Sequence, residues 1–375
     1  MDDKEQSRHR KGVTRFCELY IRRWPQSGKA RSGEYYSVKE KILKRVPVII
    51  LAFLVVVSCG FGLSACSSGS DSGKLETLTV AMVPTELNAL FYVAETQKLF
   101  AANGLQVILK EDYDSGASAA AGMLNGEADI ALAAEFPIVR QVFNKKDITS
   151  FGTIAKYENT YIAWRTDSGI KTIQDLKGKK VGVTLKTISE FYLGRTLDLN
   201  GINIQQVTLI DTRAPDSEKA IARREVDAVA TWEPWVAQIN QRLGREVITM
   251  PLQSGQYAYW NLVSTSGWIN NHPNMIKRLI KSLLQAESYL ASHQSEAKAI
   301  VRKQMNFDDA YLEIIWQHYQ FSLSLDQSLV TAMEDEARWM IKNNLTRENQ
   351  VPNFMNYLYL DGLKAVKPEA VNIIR

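Results

Sequence analysis

Two short segments whose starts lie 98 residues apart carry the same arrangement of acids: residues 125–137 read NGEADIALAAEFP and residues 223–234 read RREVDAVATWEP. In each, an Asp (Asp129, Asp227) stands six residues ahead of a Glu (Glu135, Glu233), with a short apolar run between them and a Pro close behind. Carboxylates at the ends of apolar runs accept hydrogen bonds and neutralise positive groups, so two of them facing one cleft would suit a cationic or donor-rich solute. As solvated loop side chains, the fate of most glutamates, they would do neither.

A repeat of this kind asks for a repeated supersecondary unit, and the flanking sequence supplies one. Residues 78–83 form an apolar run that ends at Pro84; a helical stretch over 88–102 closes at Asn103-Gly104; residues 105–109 read as a strand. A loop containing Asp114-Ser115-Gly116, an Ala-rich helix to Leu124, a turn at Asn125-Gly126 and a strand over 130–134 complete a β-α-β-α-β order. The second unit has strands at 181–184, 207–210 and 228–230, with helices over 189–199 and 215–223. Continuous apolar strands alternating with helices predict an α/β fold with mostly parallel sheets covered on both faces. Ligands of such sheets bind beyond the carboxyl ends of the strands, which is where Glu135, Glu233, Thr85, Glu86 and residues 185–190 fall.

The N-terminal region has to be set apart. Lys44 and Arg45 precede an apolar stretch over 46–63, followed by Leu63-Ser64-Ala65-Cys66 and a Ser/Gly-rich run to residue 74. Basic, hydrophobic and small-residue regions in this order predict a secretory signal peptide over 1–65, and Leu-Ser-Ala-Cys resembles the bacterial lipobox, which makes Cys66 the expected lipidation site. A transmembrane anchor is the competing reading of the same apolar stretch. Residues 66–74 read as a flexible tether. Residues 1–37 lack an amphipathic period and read as part of this prefix or as a start-site artefact ahead of Val38.

The prefix also distorts the charge. The first 65 residues hold 13 of the 45 Lys and Arg but 6 of the 41 Asp and Glu, which leaves 32 basic and 35 acidic side chains, a net −3. That balance gives no electrostatic reason to expect nucleic acid as a partner. Cys17 and Cys59 go with the prefix, so apart from Cys66 no thiol remains for a disulfide, a zinc site or a nucleophile. No paired metal-ligand spacing, catalytic triad order or Walker loop is present, and neither a metal nor a cofactor is expected.

The order of lipobox, two similar α/β units, Asp175-Leu176-Lys177-Gly178-Lys179-Lys180-Val181-Gly182-Val183, Asp227-Ala228 and Trp232-Glu233-Pro234-Trp235 resembles the nitrate/taurine/sulfonate branch of periplasmic solute-binding proteins over residues 76–300. The resemblance implies a two-lobe periplasmic-binding-protein fold, each lobe a sheet flanked by helices. Lobe one would comprise residues 75–165 and 259–375, with C-terminal helices packed on it that carry no chemistry, and lobe two residues 166–258. Hinges would fall at Arg165-Thr166-Asp167 and Tyr257-Ala258-Tyr259. It further implies a monomer, lipid-anchored at the cell envelope and facing the periplasm or the cell exterior, that closes over a small-molecule solute and delivers it to an ABC permease. A ligand-sensing lipoprotein would share the same fold. So would a pyrimidine-synthase-like enzyme, but that chemistry uses a Cys-rich segment this chain lacks.

A closed cleft between such lobes would gather Glu86, Asn88, Ser115, Glu135 and Phe136 from lobe one with Thr184, Ser189, Glu190, Arg213, Trp232 and Glu233 from lobe two. Ser189 could cap a helix beginning at Glu190 and leave N–H groups for a ligand oxygen, or be a cap and nothing more. Arg213 could pair with a ligand anion or with a nearby acid. Four glutamates at these loops are costly to bury without a positive counterpart. With Trp232 or Phe136 available for stacking or cation–π contact, they point to a nitrogen-containing solute: an amine, a zwitterion or a heterocycle. A sulfonate, taurine or nitrate is the alternative within the same fold.

Overall fold

The computed structural model describes residues 75–253 and 255–374; the expected signal peptide, Cys66 and the tether lie outside them. The chain begins β1 (Glu76–Ala81), α1 (Ala89–Thr96), α2 (Leu99–Ala102), β2 (Leu105–Lys110), α3 (Gly116–Leu124), β3 (Ile130–Ala133), α4 (Glu135–Phe143) and β4 (Thr149–Tyr157). A second series follows: β5 (Thr160–Arg165), β6 (Lys180–Val183), α5 (Ile188–Leu199), β7 (Thr208–Asp211), α6 (Ser217–Ala222), β8 (Ala228–Trp232), α7 (Trp235–Leu243) and β9 (Val247–Pro251). The remainder is β10 (Ala258–Ser264), α8 (Ser266–Asn271), α9 (Pro273–Ser292), α10 (Gln294–Met305), α11 (Asp309–Trp316), β11 (Tyr319–Asp326), α12 (Gln327–Lys342), α13 (Asp361–Lys364) and β12 (Val371–Asn372).

These strands form two mixed sheets, ordered β12-β11-β4-β10-β3-β1-β2 and β7-β6-β8-β5-β9. Both follow one plan. In the first, β2, β1 and β3 run parallel and β10 lies antiparallel beside β3. In the second, β7, β6 and β8 run parallel and β5 lies antiparallel beside β8. The fourth strand of each sheet comes from a crossover, so neither sheet is complete without chain that has left the other. All residues of β3 and β10 are buried, as expected of strands covered on both faces.

The repeated aspartates do the same work in both sheets. Asp129 takes the Thr79 N–H at 2.8 Å on its side chain while its own N–H goes to the Thr79 carbonyl at 3.0 Å. Asp227 takes the Lys180 N–H at 2.8 Å and donates its N–H to the Lys180 carbonyl, also at 2.8 Å. Each ties the entry of a third strand to its neighbour, so the Asp belongs to the fold and not to the cleft.

The first crossover departs from the hinge expected at Arg165-Thr166-Asp167. β5 pairs with β8 and β9 along its whole length, so residues 160–165 belong to the second sheet. The first crossover is therefore Glu158-Asn159, where the Glu158 N–H is held by the His318 carbonyl at 3.1 Å. The return crossover follows β9 and ends where β10 enters the first sheet at Ala258, within the expected hinge Tyr257-Ala258-Tyr259.

The C-terminal part is not helical throughout, because β11 enters the first sheet beside β4. Nor does it pack on one side alone. From α12, Trp339 meets Phe136 of α4 at 5.8 Å and Phe191 of α5 at 5.6 Å between ring centroids. The approach is so close that a Cβ at Gly194 would lie 2.0 Å from the Trp339 ring, which accounts for glycine in the middle of α5. Among the described residues no helix is long and apolar enough to cross a membrane.

Candidate functional site

A narrow cavity of about 30 Å³ lies between the two sheets. That interior holds roughly two or three waters, so a solute of several heavy atoms requires the sheets to part or the side chains to move. Two helix N-termini open onto it. Ser115, Gly116 and Ala117 bring the start of α3 from the first sheet, and Thr187 and Ile188 bring the start of α5 from the second. The first amides of a helix have no intrahelical acceptor. In α3 the Ser115 hydroxyl oxygen accepts from the Ser118 N–H at 3.2 Å, which leaves the Gly116 and Ala117 amides toward the cavity. A Cβ on Gly116 would come within 2.9 Å of the Ala133 Cα and 3.0 Å of the Trp260 ring, so only glycine allows this approach.

The walls are aromatic and apolar: Trp232, Trp260, Tyr157, Leu87 and Pro137 line the cavity, with Thr85 and Asn159 as neutral polar groups. Among its lining residues no Asp, Glu, Lys, Arg or His appears. Trp260 is fixed edgewise to Tyr157, ring centroids 6.4 Å apart, and its indole N–H donates to Asn88 Oδ1 at 2.9 Å. Asn88 in turn donates to the Val83 carbonyl at 2.7 Å. Asn88 thus does not line the cavity; it orients a residue that does.

Of the residues anticipated from sequence, Ser115 and Trp232 line the cavity. The glutamates sit elsewhere, each buried with partners of its own. Glu86 accepts from the Tyr319 hydroxyl and from Thr85 Oγ1, and burial pushes its carboxyl up from the ordinary range. Glu135 accepts the Tyr259 N–H at 2.8 Å, and burial raises it to about 8. Glu190 accepts the Lys186 N–H at 2.5 Å, lies 3.8 Å from Arg140, and is likewise raised by burial. Glu233 accepts from the Ala237 N–H at 3.1 Å and the Tyr311 hydroxyl at 3.0 Å. A carboxylate beside a helix start can turn back to the protein's own donors, and these four do.

The remaining candidates are also engaged in the fold. Phe136 stacks on Phe191 at 5.8 Å. The Thr184 hydroxyl donates to the Thr212 carbonyl at 2.7 Å. Ser189 is not the cap: Thr187 is, and Ser189 lies inside the first turn, fully buried, its hydroxyl without a partner among the described residues. Arg213 pairs with Asp114 across the two sheets, at 2.8 and 2.7 Å. The C-terminal chain, expected to take no part, supplies Tyr311 and Tyr319 to two of the buried glutamates.

Sequence reasoning pointed to the loop 185–190 without singling out Thr187, and it did not name Tyr157, Asn159 or Trp260 among the site residues. A hydroxyl before a short helix was the available signal at Thr187. Tyr157 and Asn159 carried none until the crossover was placed between β4 and β5.

The profile of the NMT1/THI5-like family matches residues 88–297, more than half of the chain. The chain belongs to the NMT1/THI5-like family. Within its reach, the chain is 25% identical over 151 residues to a putative binding protein of Brucella abortus, covering 39% of this chain and 46% of that protein. This match thus spans less than half of the Brucella relative's length. It is 25% identical over 207 residues to the taurine-binding periplasmic protein of Escherichia coli, covering 53% of this chain and 63% of that one. The fold matches the alkanesulfonate-binding protein SsuA of Xanthomonas axonopodis pv. citri bound to MOPS, with a TM-score of 0.67 at 16% identity, over 77% of this chain and all of that one. The chain therefore has the two-lobe α/β fold of periplasmic binding proteins.

Proposed function

We propose that this chain is an extracytoplasmic solute-binding protein that closes over a small organic oxyanion and delivers it to an ABC permease, held at a membrane by a lipid on Cys66. The observation that carries this reading is the convergence of two helix N-termini, one from each sheet, on a cavity whose lining bears no charged side chain. The N-terminal end of a helix presents free N–H groups and roughly half a positive charge, which suffices to hold an oxyanion without Lys or Arg. The aromatic and aliphatic walls then receive its carbon body. Relatives named as taurine- and alkanesulfonate-binding proteins fit that division of labour.

Glu86, Glu135, Glu190 and Glu233 do not line this cavity, which removes the reason for expecting a purely cationic solute. A nitrogen-containing solute remains compatible as a zwitterion. The polar groups of the lining, Thr85, Ser115, Tyr157, Asn159 and Thr187, are all neutral, which suits binding and release.

The test is a thermal-shift panel on the full chain: taurine, alkane- and arylsulfonates and nitrate against polyamines, simple amines and pyrimidines. A ligand at 100 times its Kd stabilises by about 2.7 kcal/mol, or roughly 5 °C in a domain of this size. Shifts of that size with the oxyanions are expected. Shifts confined to amines and neutral heterocycles would overturn the oxyanion assignment.

A further inference from the structure

Asn159 stands at the first crossover between the sheets and lines the cavity while being 1% exposed. Nearly all of its hydrogen-bonding capacity is spent on holding the two sheets together. Its backbone N–H and that of Thr160 both donate to Gln253 Oε1 at 2.9 Å, and Gln253 lies on the return crossover. Gln253 Nε2 completes the link by donating to the carbonyls of Tyr157 at 3.0 Å and Gln256 at 3.1 Å. The Asn159 carbonyl accepts from the Glu233 N–H at 3.2 Å. Its Nδ2 donates to the Tyr319 oxygen at 3.5 Å, and the Tyr319 hydroxyl donates in turn to Glu86, which fixes the sense of the side-chain amide.

One polar atom is left over. Asn159 Oδ1 is buried and has no hydrogen-bond partner among the described residues. A buried amide oxygen without a donor is costly, and the surroundings that hold Asn159 in place do not let it turn away. On the reading proposed above, the solute's oxyanion lies at the starts of α3 and α5. We infer that Asn159 is a specificity-determining residue, whose Oδ1 accepts a hydrogen bond from an N–H or O–H group on the solute, so that the preferred ligand is an organic oxyanion bearing a donor. Because the same residue forms the crossover, the contact that recognises the donor also ties the solute to the segment about which the two sheets are joined.

Matched pairs of ligands separate this inference from the reading beneath it. Isothermal titration of the full chain would compare 2-hydroxyethanesulfonate and taurine with propane-1-sulfonate, and 4-aminobenzenesulfonate with 4-methylbenzenesulfonate. The donor-bearing member is expected to bind about tenfold or more tightly. Asn159→Leu should reduce that ratio to about one. Asn159→Asp keeps an acceptor at this position and should keep the preference for taurine; this variant and the wild-type ratios decide the matter if the Leu variant does not fold. Equal affinities within the wild-type pairs, or a ratio that survives in Asn159→Leu, would overturn the role of Asn159 and leave the oxyanion site standing. Failure of every sulfonate to bind the wild type would overturn both.

Discussion

The two β-α-β-α-β units use the same sequence signature to different ends. Asp129 and Asp227 are interchangeable in role, each bonding to the backbone of a neighbouring strand at its N–H and its carboxylate. Glu135 and Glu233, six residues further on, are not. Glu233 accepts from an amide of the helix that follows it, Ala237, and from the Tyr311 hydroxyl. Glu135 has one, the Tyr259 N–H, and its other oxygen is buried without a partner among the described residues. Close enough to repel it is Glu336 of α12, buried, with neither oxygen partnered among the described residues. A repeat in sequence thus marks a shared strand junction at one position and only a shared location at the next.

The largest expected difference between the units is in pH dependence. Burial, and for Glu336 the nearby Glu135, raises both carboxyls, Glu135 to about 8. The folded state then holds a proton that the unfolded chain has lost above about 4.5. Stability from this pair is therefore fully present at acid pH and is lost as pH rises toward 8. Each tenfold difference in proton affinity between the folded and unfolded states is worth about 1.4 kcal/mol. The melting temperature should accordingly fall by on the order of 5 °C between pH 5 and pH 8. Glu336→Gln supplies an amide that ends the repulsion, and should raise the melting temperature at pH 8 and flatten the slope. Glu233→Gln, which disturbs the bonds from the Ala237 N–H and the Tyr311 hydroxyl and does not touch the Glu135–Glu336 repulsion, should lower the melting temperature slightly. If the two variants shifted the pH profile alike, the contrast drawn between the units would be wrong.

The aspartates test the likeness. Replacing either by Ala deprives a strand N–H of its side-chain acceptor and is expected to cost about 1–2 kcal/mol, with Asp129 the costlier because its bond is the more buried. Denaturant midpoints of Asp129→Ala and Asp227→Ala should fall together, with solute affinity unchanged within about twofold. A loss of affinity in either variant without a loss of stability would return that residue to the cleft.

This division explains what could be read in advance. Strand order within each unit was legible because apolar runs such as residues 130–133 and 228–230 alternate with helical stretches, the pattern of parallel strands covered on both faces. Helical period over 275–290, 295–304 and 329–341 announced the helices found at 273–292, 294–305 and 327–342. β11 was overlooked although Tyr319, Phe321, Leu323 and Leu325 alternate with polar residues as a strand should. The first crossover was not legible, since a strand that changes sheet looks locally like one that stays. The site was legible in place but not in membership: loops were identified, yet whether a loop Glu turns to a ligand or to a tyrosine far along the chain depends on contacts that no local pattern encodes. Asn159 illustrates the limit, its importance arising wholly from Gln253, Tyr319 and Glu233.

The smallest effect belongs to the loops that close the cavity mouth unequally. The second loop of the first unit brings Ser115 to the cavity, whereas Arg213, in the corresponding loop of the second unit, reaches across to Asp114 in a two-point ion pair. Both partners are well exposed, 63% and 40%, so solvent and salt screen the attraction and its contribution is modest. Because the pair joins the two sheets beside the start of α3, its contribution exists only while they are together. Arg213→Gln should therefore speed solute release by about twofold at low ionic strength. The difference should vanish in about 0.5 M salt, where screening removes what the substitution removes. An effect of Arg213→Gln on release that persisted in high salt would place the guanidinium on the solute and would make the second unit's loop a wall of the site after all.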